Sequence, residues 1–205
     1  MRYNTDSGGN EKTIWVALGA SNHSEKIRER NDYYATPPVA VEELLKVESF
    51  HSNVYEPAVG GGHIADVLKT HGYSVVCSDI VDRGYEGTVV RDFFEYNPEE
   101  KLKCDIITNP PYKYATAFVR HSLDIVADGF KVAMLLKVQF LESQERWKLF
   151  KECPPVRIYP FSKRISCSLN GDFENNKDGA IAYCWYVWEK GVHIDPIVRW
   201  VNTGE

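Results

Sequence analysis

The sequence predicts an α/β protein with a doubly wound, mostly parallel sheet, helices on both faces and an antiparallel hairpin at one edge. Two observations lead to this prediction. From residue 53 onwards, short apolar, β-branched runs alternate with amphipathic helical patterns, which is typical of parallel βαβ units. Near the end of the chain, two apolar runs flank the polar loop 170–179, which favours an antiparallel pair.

The individual elements follow from hydrophobic periodicity and turn residues. Residues 1–31 lack a clean period and are predicted to form an N-terminal arm, so that residues 32–205 make one domain. A helix is expected directly after Thr36, with Thr36 as its N-cap residue and Pro37 and Pro38 in its first turn. Further helices are predicted at 64–70, 115–127 and 142–152, and strands at 53–55, 73–78, 104–108, 131–138, 156–159, 164–168, 181–188 and 197–201.

Composition limits the classes of protein that the chain can represent. Its 205 residues are 43% hydrophobic and 26% charged, which is ordinary for a globular domain and excludes a disordered chain. No apolar run approaches the length of about 18 residues that spans a membrane, so no transmembrane helix is expected, and the polar N-terminal residues predict no secretory signal. The odd count of five cysteines, without a Cys-x-x-Cys pair, predicts reduced thiols in a cytoplasmic protein, and the scattered histidines predict no metal site.

The charge distribution is uneven along the chain. The net charge is −5, yet residues 131–164 contain eight Lys or Arg and three Asp or Glu. Such an excess is typical either of a basic face that binds nucleic acid or of a solvated helix surface. Lys163 and Arg164 are the candidate nucleic-acid contacts in this segment.

The first candidate site is the loop E-P-A-V-G-G-G between the strand 53–55 and the helix 64–70. Gly60 and Gly62 would let a ligand approach the backbone, and the following helix offers free N–H groups. Glu56 and Pro57 open the loop, and the carboxylate suits a ligand with a cationic group. The spacing differs from the G-x-G-x-x-G pattern of dinucleotide-binding proteins, and a plain tight turn is the simpler alternative.

Acidic residues follow the next two apolar runs. Asp79 ends the strand 73–78 about 20 residues after the glycines, where a carboxylate accepts hydrogen bonds from ribose hydroxyls. Asp92 and Phe93 follow the run 88–90, where a carboxylate beside an aromatic ring would hold and stack an adenine. The alternatives are a strand-terminal turn residue at Asp79 and a surface carboxylate beside a core ring at Asp92.

The most specific motif is N-P-P-Y, directly after the strand 104–108. Pro110 and Pro111 stiffen the turn and fix its carbonyl groups. The Asn109 side-chain oxygen and the Pro110 carbonyl would both accept hydrogen bonds from one amino group. Tyr112 offers a ring on which a planar group can stack.

Together these motifs resemble those of the class I S-adenosylmethionine-dependent methyltransferases, specifically the DNA adenine-N6 type of phages and restriction–modification systems. The resemblance covers residues 32–189, and the order D-Y-Y-A-T-P-P, glycine loop, N-P-P-Y is similar to the gamma arrangement. It implies a Rossmann-like fold, S-adenosyl-L-methionine as the cofactor and DNA as the partner. The cofactor-binding residues that it implies are Tyr34, Thr36, Pro37, Glu56, Pro57, Gly60, Gly62, Asp79, Asp92, Phe93 and Asn109.

The reaction implied by the resemblance is methyl transfer to the N6 amino group of adenine in DNA. Its catalytic residues would be Asn109, Pro110, Pro111 and Tyr112. Two other classes stay open. One is a methyltransferase that uses the same pocket on an RNA base or a protein glutamine, and the other is a non-catalytic binding subunit with a methyltransferase fold.

The chain departs from the gamma type at its end. That type usually carries a target-recognition domain after the catalytic region, whereas only 16 residues follow Glu189. The choice of DNA sequence is therefore expected to be weak, to use the loop 162–179 and the N-terminal arm, or to need a partner.

Overall fold

The computed structural model describes residues 33–169, 171–173 and 181–204. Its strands are β1 (Tyr34–Ala35), β2 (Asn53–Glu56), β3 (Ser74–Asp79), β4 (Thr88–Val90), β5 (Asp105–Thr108), β6 (Lys131–Lys137), β7 (Arg157–Pro160), β8 (Ser168–Leu169), β9 (Tyr183–Glu189) and β10 (Ile197–Val198). Its helices are α1 (Pro38–Val47), α2 (His63–Thr70), α3 (Ala115–Ile125) and α4 (Gln144–Glu152). Short 3₁₀ turns cover Phe93–Glu95, Tyr112–Tyr114 and Val138–Leu141. None of the helices in this part of the chain is long and apolar enough to cross a membrane.

Eight strands form one sheet in the spatial order β10-β7-β9-β6-β5-β2-β3-β4. Every neighbouring pair from β6 to β4 is parallel, whereas β9 runs antiparallel to both β6 and β7. The edge strand β10 pairs in parallel with β7. These pairings confirm the predicted α/β class, with a mostly parallel sheet and an antiparallel pair towards one edge. The predicted N-terminal arm, 1–31, lies outside the described residues.

The strand β9 does not pair with the run 164–168, which the sequence predicts as its antiparallel partner across the loop 170–179. The predicted strand 164–168 shortens to β8, which pairs with β1 through Tyr34 opposite Leu169 and Ala35 opposite Ser168. Six of the seven residues of β9 are buried, which is typical of a strand whose two faces are both covered, and β9 lies between β6 and β7. The β1–β8 pair holds the start of residues 34–38, which we call the T-P segment, against the end of the connection that follows β7.

Helix α1 begins without the predicted side-chain cap. Pro37 occupies the N-cap position, Pro38 is the first helical residue, and no side chain caps the helix. The prediction that Thr36 is the N-cap residue is therefore wrong, because the fixed φ of proline already suits the first turn. Thr36 is 2% exposed, and its hydroxyl accepts a hydrogen bond from Asn109 instead.

The core lies on both faces of the sheet, because alternate residues of each central strand point to opposite sides. On one face, Leu135 and Trp185 pack in a cluster with residues of α1 and α2, and the Trp185 indole donates to the carbonyl of Ala40 at 2.8 Å. On the other face, Met134 and Tyr186 pack in a second cluster with residues of α3. The helices therefore cover both faces, as predicted.

Candidate active site

The predicted site residues converge because parallel strands end at the same edge of a sheet. We call the edge where β2, β3, β5 and β6 end the carboxyl edge, and the edge where they begin the amino edge. Glu56 is the last residue of β2, Asp79 is the last of β3, and Asn109 directly follows β5. Ligand sites of open α/β sheets form at this edge. The fold thus brings the glycine loop, the Asp79 carboxylate and the N-P-P-Y turn to one edge of the sheet.

The glycine loop is fastened to Asp79. The Gly60 N–H donates to Asp79 Oδ2 at 2.9 Å, and the Val81 N–H donates to Oδ1 at 3.0 Å. Asp79 is 7% exposed, and each of its oxygens can still accept a further hydrogen bond. The carboxylate therefore both shapes the loop and retains capacity for a ligand hydroxyl.

Two positions in this loop require glycine. Gly60 has φ +55° and Gly62 has φ +85°, in the region that side chains rarely adopt. A Cβ at Gly60 would lie 2.7 Å from the ring of Tyr33, and one at Gly62 would lie 2.0 Å from the ring of Tyr85. The missing side chains thus allow two aromatic rings to lie directly on the loop.

Glu56 is a buried carboxyl group with an unused acceptor. It is 1% exposed, and its Oε2 atom has no hydrogen-bond partner among the described residues. Burial raises its pKa well above the usual value, the negative charge of Asp79 adds to the rise, and a hydrogen bond from the Ala65 backbone opposes it. A cationic ligand group at Oε2 would favour the ionised form of Glu56.

The Asn109 amide is fixed by the T-P segment. Its Nδ2 donates to the Tyr34 carbonyl at 2.8 Å and to Thr36 Oγ1 at 3.1 Å. A carbonyl only accepts hydrogen bonds, so the amide nitrogen must face Tyr34 and the oxygen must face away. That oxygen, Oδ1, is buried and has no partner among the described residues. It is a held acceptor that suits an amino group entering the site.

Tyr112 is packed more tightly than a free stacking platform. Its ring centroid lies 6.0 Å from that of Tyr34 and 5.8 Å from that of Tyr183. The Lys137 ammonium lies 4.9 Å from the Tyr112 centroid, over the ring. Burial raises the pKa of Tyr112 far above its usual value, so the ring stays neutral. The two prolines before it are placed differently, with Pro110 buried and Pro111 exposed.

The neighbouring residues Asp92 and Phe93 differ in burial. Asp92 is half-buried and caps a 3₁₀ turn, where its Oδ1 accepts from the Phe94 N–H at 3.0 Å. Phe93 is 3% exposed and stacks on Phe118 with 4.8 Å between ring centroids. The ring therefore belongs to the core, and the Asp92 carboxylate is the member of the pair that stays accessible to a ligand.

The remaining predicted residues frame the site. Pro37 is half-buried in front of α1, and Pro57 is buried behind β2. Lys163 and Arg164 are exposed in the segment between β7 and β8. Because β7 is parallel to β6, that segment leaves the sheet on the side of the carboxyl edge. Whether these two cations contact nucleic acid stays a prediction.

Sequence reasoning missed three residues at this edge, namely Tyr33, Tyr85 and Lys137. The doubled tyrosine of D-Y-Y-A-T-P-P was a usable signal for Tyr33, whose ring also lies 4.5 Å from the Arg83 guanidinium. Tyr85 and Lys137 carried no local signal. Their places depend on contacts between segments that are far apart in sequence.

The sequence matches no protein-family model and no curated protein sequence. Solved structures share its fold. A modification subunit of a proposed type I restriction enzyme from Vibrio vulnificus aligns over 95% of this chain and 51% of its own, with a TM-score of 0.60 and 13% identity. A proposed class I S-adenosylmethionine-dependent methyltransferase from Listeria monocytogenes aligns over 93% and 71%, with a TM-score of 0.52 and 15% identity. A proposed RNA methyltransferase from Pyrococcus horikoshii aligns over 89% and 100%, with a TM-score of 0.53 and 18% identity.

These likenesses establish the fold, which is the Rossmann-like fold of class I methyltransferases. The chain spans about half the length of the Vibrio subunit. The names of these solved proteins point to no common substrate: one is a restriction-enzyme subunit, one an RNA methyltransferase, and the name of the third gives no substrate. The fold alone therefore leaves the substrate open. The substrate has to be argued from the residues of the site.

Proposed function

We propose that this protein is an S-adenosylmethionine-dependent methyltransferase that modifies the N6 amino group of adenine in DNA. The observation that carries the proposal is Asn109, whose side-chain oxygen is buried, unpaired among the described residues and held in place through its own nitrogen. The N-P-P-Y motif supports an amino group on a planar ring as the target. The likeness to a restriction-enzyme modification subunit supports DNA as the substrate.

The residues at the carboxyl edge fit the cofactor. When bound, S-adenosylmethionine supplies an electrophilic methyl group on a sulfonium. The unpaired Oε2 of Glu56 suits its ammonium group, and Asp79 retains acceptor capacity for its ribose hydroxyls. Asp92, which is half-buried after β4, would accept a hydrogen bond from the adenine amino group of the cofactor. The fit thus rests on one orphaned buried acceptor at Glu56, on the spare acceptor capacity of the buried Asp79 carboxylate and on the half-buried Asp92 carboxylate.

The chemistry asked of the chain is positioning and charge stabilisation. The lone pair of the adenine N6 atom is delocalised into the ring, which makes the nitrogen a poor nucleophile. Asn109 Oδ1 and the Pro110 carbonyl would each accept a hydrogen bond from one of its two N–H groups and favour a more tetrahedral nitrogen. They would also stabilise the positive charge that develops during transfer. Alignment of the nitrogen with the methyl group supplies several further kcal/mol, and the adenine must leave its stack to reach the site.

The first test of the DNA assignment compares methyl transfer to DNA with methyl transfer to RNA and to protein. Radiolabelled cofactor should label adenine in DNA in preference to RNA and to protein. A preference for RNA would instead favour the class named for the Pyrococcus structure, and a preference for protein would favour glutamine as the target. Either result would overturn the DNA assignment while keeping the methyltransferase class. No transfer to any of the three, with an intact fold, would overturn the enzyme assignment.

The Asn109→Ala variant tests the centre of the proposal. Because Oδ1 meets the amino group where charge develops, single-turnover methylation should fall by about 10²–10³. Cofactor affinity by calorimetry should change far less, because the amide oxygen faces the substrate. Asn53→Ala is the matched control, since Asn53 is exposed at the start of β2 on the amino edge. An Asn109→Ala enzyme that methylates at the parent rate would reduce N-P-P-Y to a turn.

A further inference from the structure

Lys137 is a half-buried cation without a counterion. It is the last residue of β6, and its ammonium lies over the Tyr112 ring at 4.9 Å from the centroid. Among the described residues, no carboxylate lies within 4.0 Å of it and no acceptor forms a hydrogen bond with it. A partly buried charge is costly unless a partner compensates it. The described residues thus leave this charge available to an anionic group that arrives from outside.

The other cations that begin or end these strands behave differently. Lys131, the first residue of β6, and Arg157, the first residue of β7, both bind the carboxylate of Glu48 on the amino edge. The two ends of β6 thus carry one lysine with a built-in partner and one without. The free lysine is the one beside the N-P-P-Y turn.

The strand register places Lys137 on the outer rim of the site. Thr108 lies opposite Met134 in the parallel β5–β6 pair, so Asn109 is level with Leu135. Lys137 lies two residues further along, which is about 6–7 Å beyond the level of Asn109. A nucleotide whose base reaches Asn109 has its sugar and phosphates outside the base, on that rim. The ammonium therefore lies at the level where the backbone of an inserted nucleotide would pass.

The ammonium also occupies one face of Tyr112. A base that stacks on that face must displace it. The flexible four-carbon stem of lysine lets its charge move by several ångströms without moving the backbone. In such an exchange the ring would lose a cation and gain a base, while the ammonium would gain an anion.

We propose that Lys137 is a substrate-positioning residue. It covers Tyr112 in the free protein and moves to the phosphate beside the target adenine when the base enters. The inference rests on the proposed function and narrows it, because a phosphodiester partner specifies a nucleic acid rather than a protein glutamine. The competing account is a structural cation over a ring, which would affect folding and no substrate property.

The test combines a variant that lacks the Lys137 charge with a substrate that lacks the backbone charge beside the target adenine. Lys137→Met keeps the apolar stem and removes the ammonium. The substrates are single-stranded oligonucleotides with one adenine, flanked either by phosphodiester linkages or by neutral methylphosphonate linkages. The matched control is Lys113→Met, because Lys113 is exposed and lies over Tyr114 at 5.4 Å in the adjoining turn.

Lys137→Met should raise KM for the phosphodiester oligonucleotide about tenfold, the typical effect of losing one charge-assisted contact. The parent enzyme should lose a similar factor when the methylphosphonate replaces the phosphodiester. On the methylphosphonate the variant and the parent should be equal, and kcat should change little throughout. Lys137→Arg should restore most of the loss, and Lys113→Met should leave both substrates unchanged.

Two results would overturn the inference while the proposed function stands. An equal loss on both oligonucleotides would mean that Lys137 acts on the base or on the fold. No loss on either would leave it as a cation over a ring. A parent enzyme that methylates neither oligonucleotide, and no adenine in DNA in the labelling assay either, would overturn the proposed function itself, and the inference with it.

Discussion

Two buried glutamates lie at opposite edges of the sheet, and the protein surrounds them in opposite ways. Glu48, on the amino edge, accepts hydrogen bonds from Lys131 at 2.6 Å, from Tyr159 at 2.9 Å and from the Arg157 guanidinium. Burial raises its pKa, but these hydrogen bonds outweigh burial and hold the pKa below the usual value. Glu56, on the carboxyl edge, has an unpaired oxygen, and burial raises its pKa well above the usual value.

The difference shows at which edge of the sheet the buried polar groups find hydrogen-bond and ion-pair partners within the described residues, and at which edge they do not. Side chains that complete Glu48 come from β6 and β7, so the carboxylate fastens three segments together. On the carboxyl edge, Glu56, Asn109 and Lys137 each keep an acceptor or a charge without a partner among the described residues. Among the described residues, the amino edge satisfies its own buried charge, while the carboxyl edge keeps unsatisfied polar groups, as the proposed function requires.

The largest effect on stability should come from Glu48→Gln. Removing one partner of a buried ion pair leaves the others uncompensated, and we expect a loss of about 3 kcal/mol in the free energy of unfolding at pH 7. Because the folded-state pKa of Glu48 is lowered, its contribution is present above the unfolded-state pKa and disappears as the pH falls through the folded-state value. Urea denaturation at a series of pH values measures both the loss and its disappearance in acid.

Glu42→Gln is the matched control for this measurement, because Glu42 is exposed on α1 and should change the stability by less than about 0.5 kcal/mol. If Glu48→Gln is as stable as the parent at pH 7, the amino edge is not the self-sufficient edge described above.

Glu56→Gln should act in the opposite direction and by less. The folded-state pKa of Glu56 is raised, so the parent protein loses stability as the pH rises above the unfolded-state value. The amide cannot ionise, and the variant should therefore gain about 1 kcal/mol over the parent at pH 8, with the gain vanishing in acid. Thermal unfolding of the free protein at both pH values measures this gain.

The same variant separates stability from binding. In the parent, binding of S-adenosylmethionine should release protons below the folded-state pKa, because the ammonium favours ionised Glu56. Calorimetry in two buffers of different ionisation enthalpy measures that release, and Glu56→Gln should bind weakly and release none. A variant that is both less stable and fully able to bind the cofactor would contradict the comparison of the two glutamates.

How far the sequence predicts this molecule depends on the range of the interaction. The alternation of strands and helices predicted the fold class, because each strand carries its own period. It also predicted that Glu56, Asp79 and Asn109 lie at the carboxyl ends of their strands, and parallel strands end at one edge of the sheet. The partners of β9 could not be predicted, because strand pairing depends on contacts between segments that are far apart in the sequence.

Single side chains of the site were harder to predict for the same reason. Phe93 is aromatic beside a carboxylate, and only the position of α3 decides that its ring enters the core. Thr36 has the chemistry of an N-cap, but the amide of Asn109, 73 residues later in the chain, uses its hydroxyl. Lys137 looks like an ordinary end of an apolar strand until Tyr112 is placed beneath it.

The smallest effects are expected from the exposed cations on the side of the carboxyl edge. Lys163 and Arg164 form no ion pair with any described carboxylate, and exposed charges contribute little to stability. If they contact phosphates, Lys163→Ala and Arg164→Ala should each weaken DNA binding equally for all sequences. Each should also reduce the slope of log affinity against log salt by about one unit. Titrations by fluorescence anisotropy at several salt concentrations measure both quantities.

Lys103→Ala is the matched control for these two variants, because Lys103 is exposed just before β5 begins, on the amino edge. Its salt slope should equal that of the parent, since the comparison assigns binding to the other edge. A loss at Lys163 or Arg164 for one DNA sequence alone would indicate base contacts rather than phosphate contacts. An equal change in the salt slope of all three variants would show that the two edges of the sheet contribute equally to DNA binding. The phosphates would then be attracted by the overall electrostatic field of the protein rather than by particular contacts.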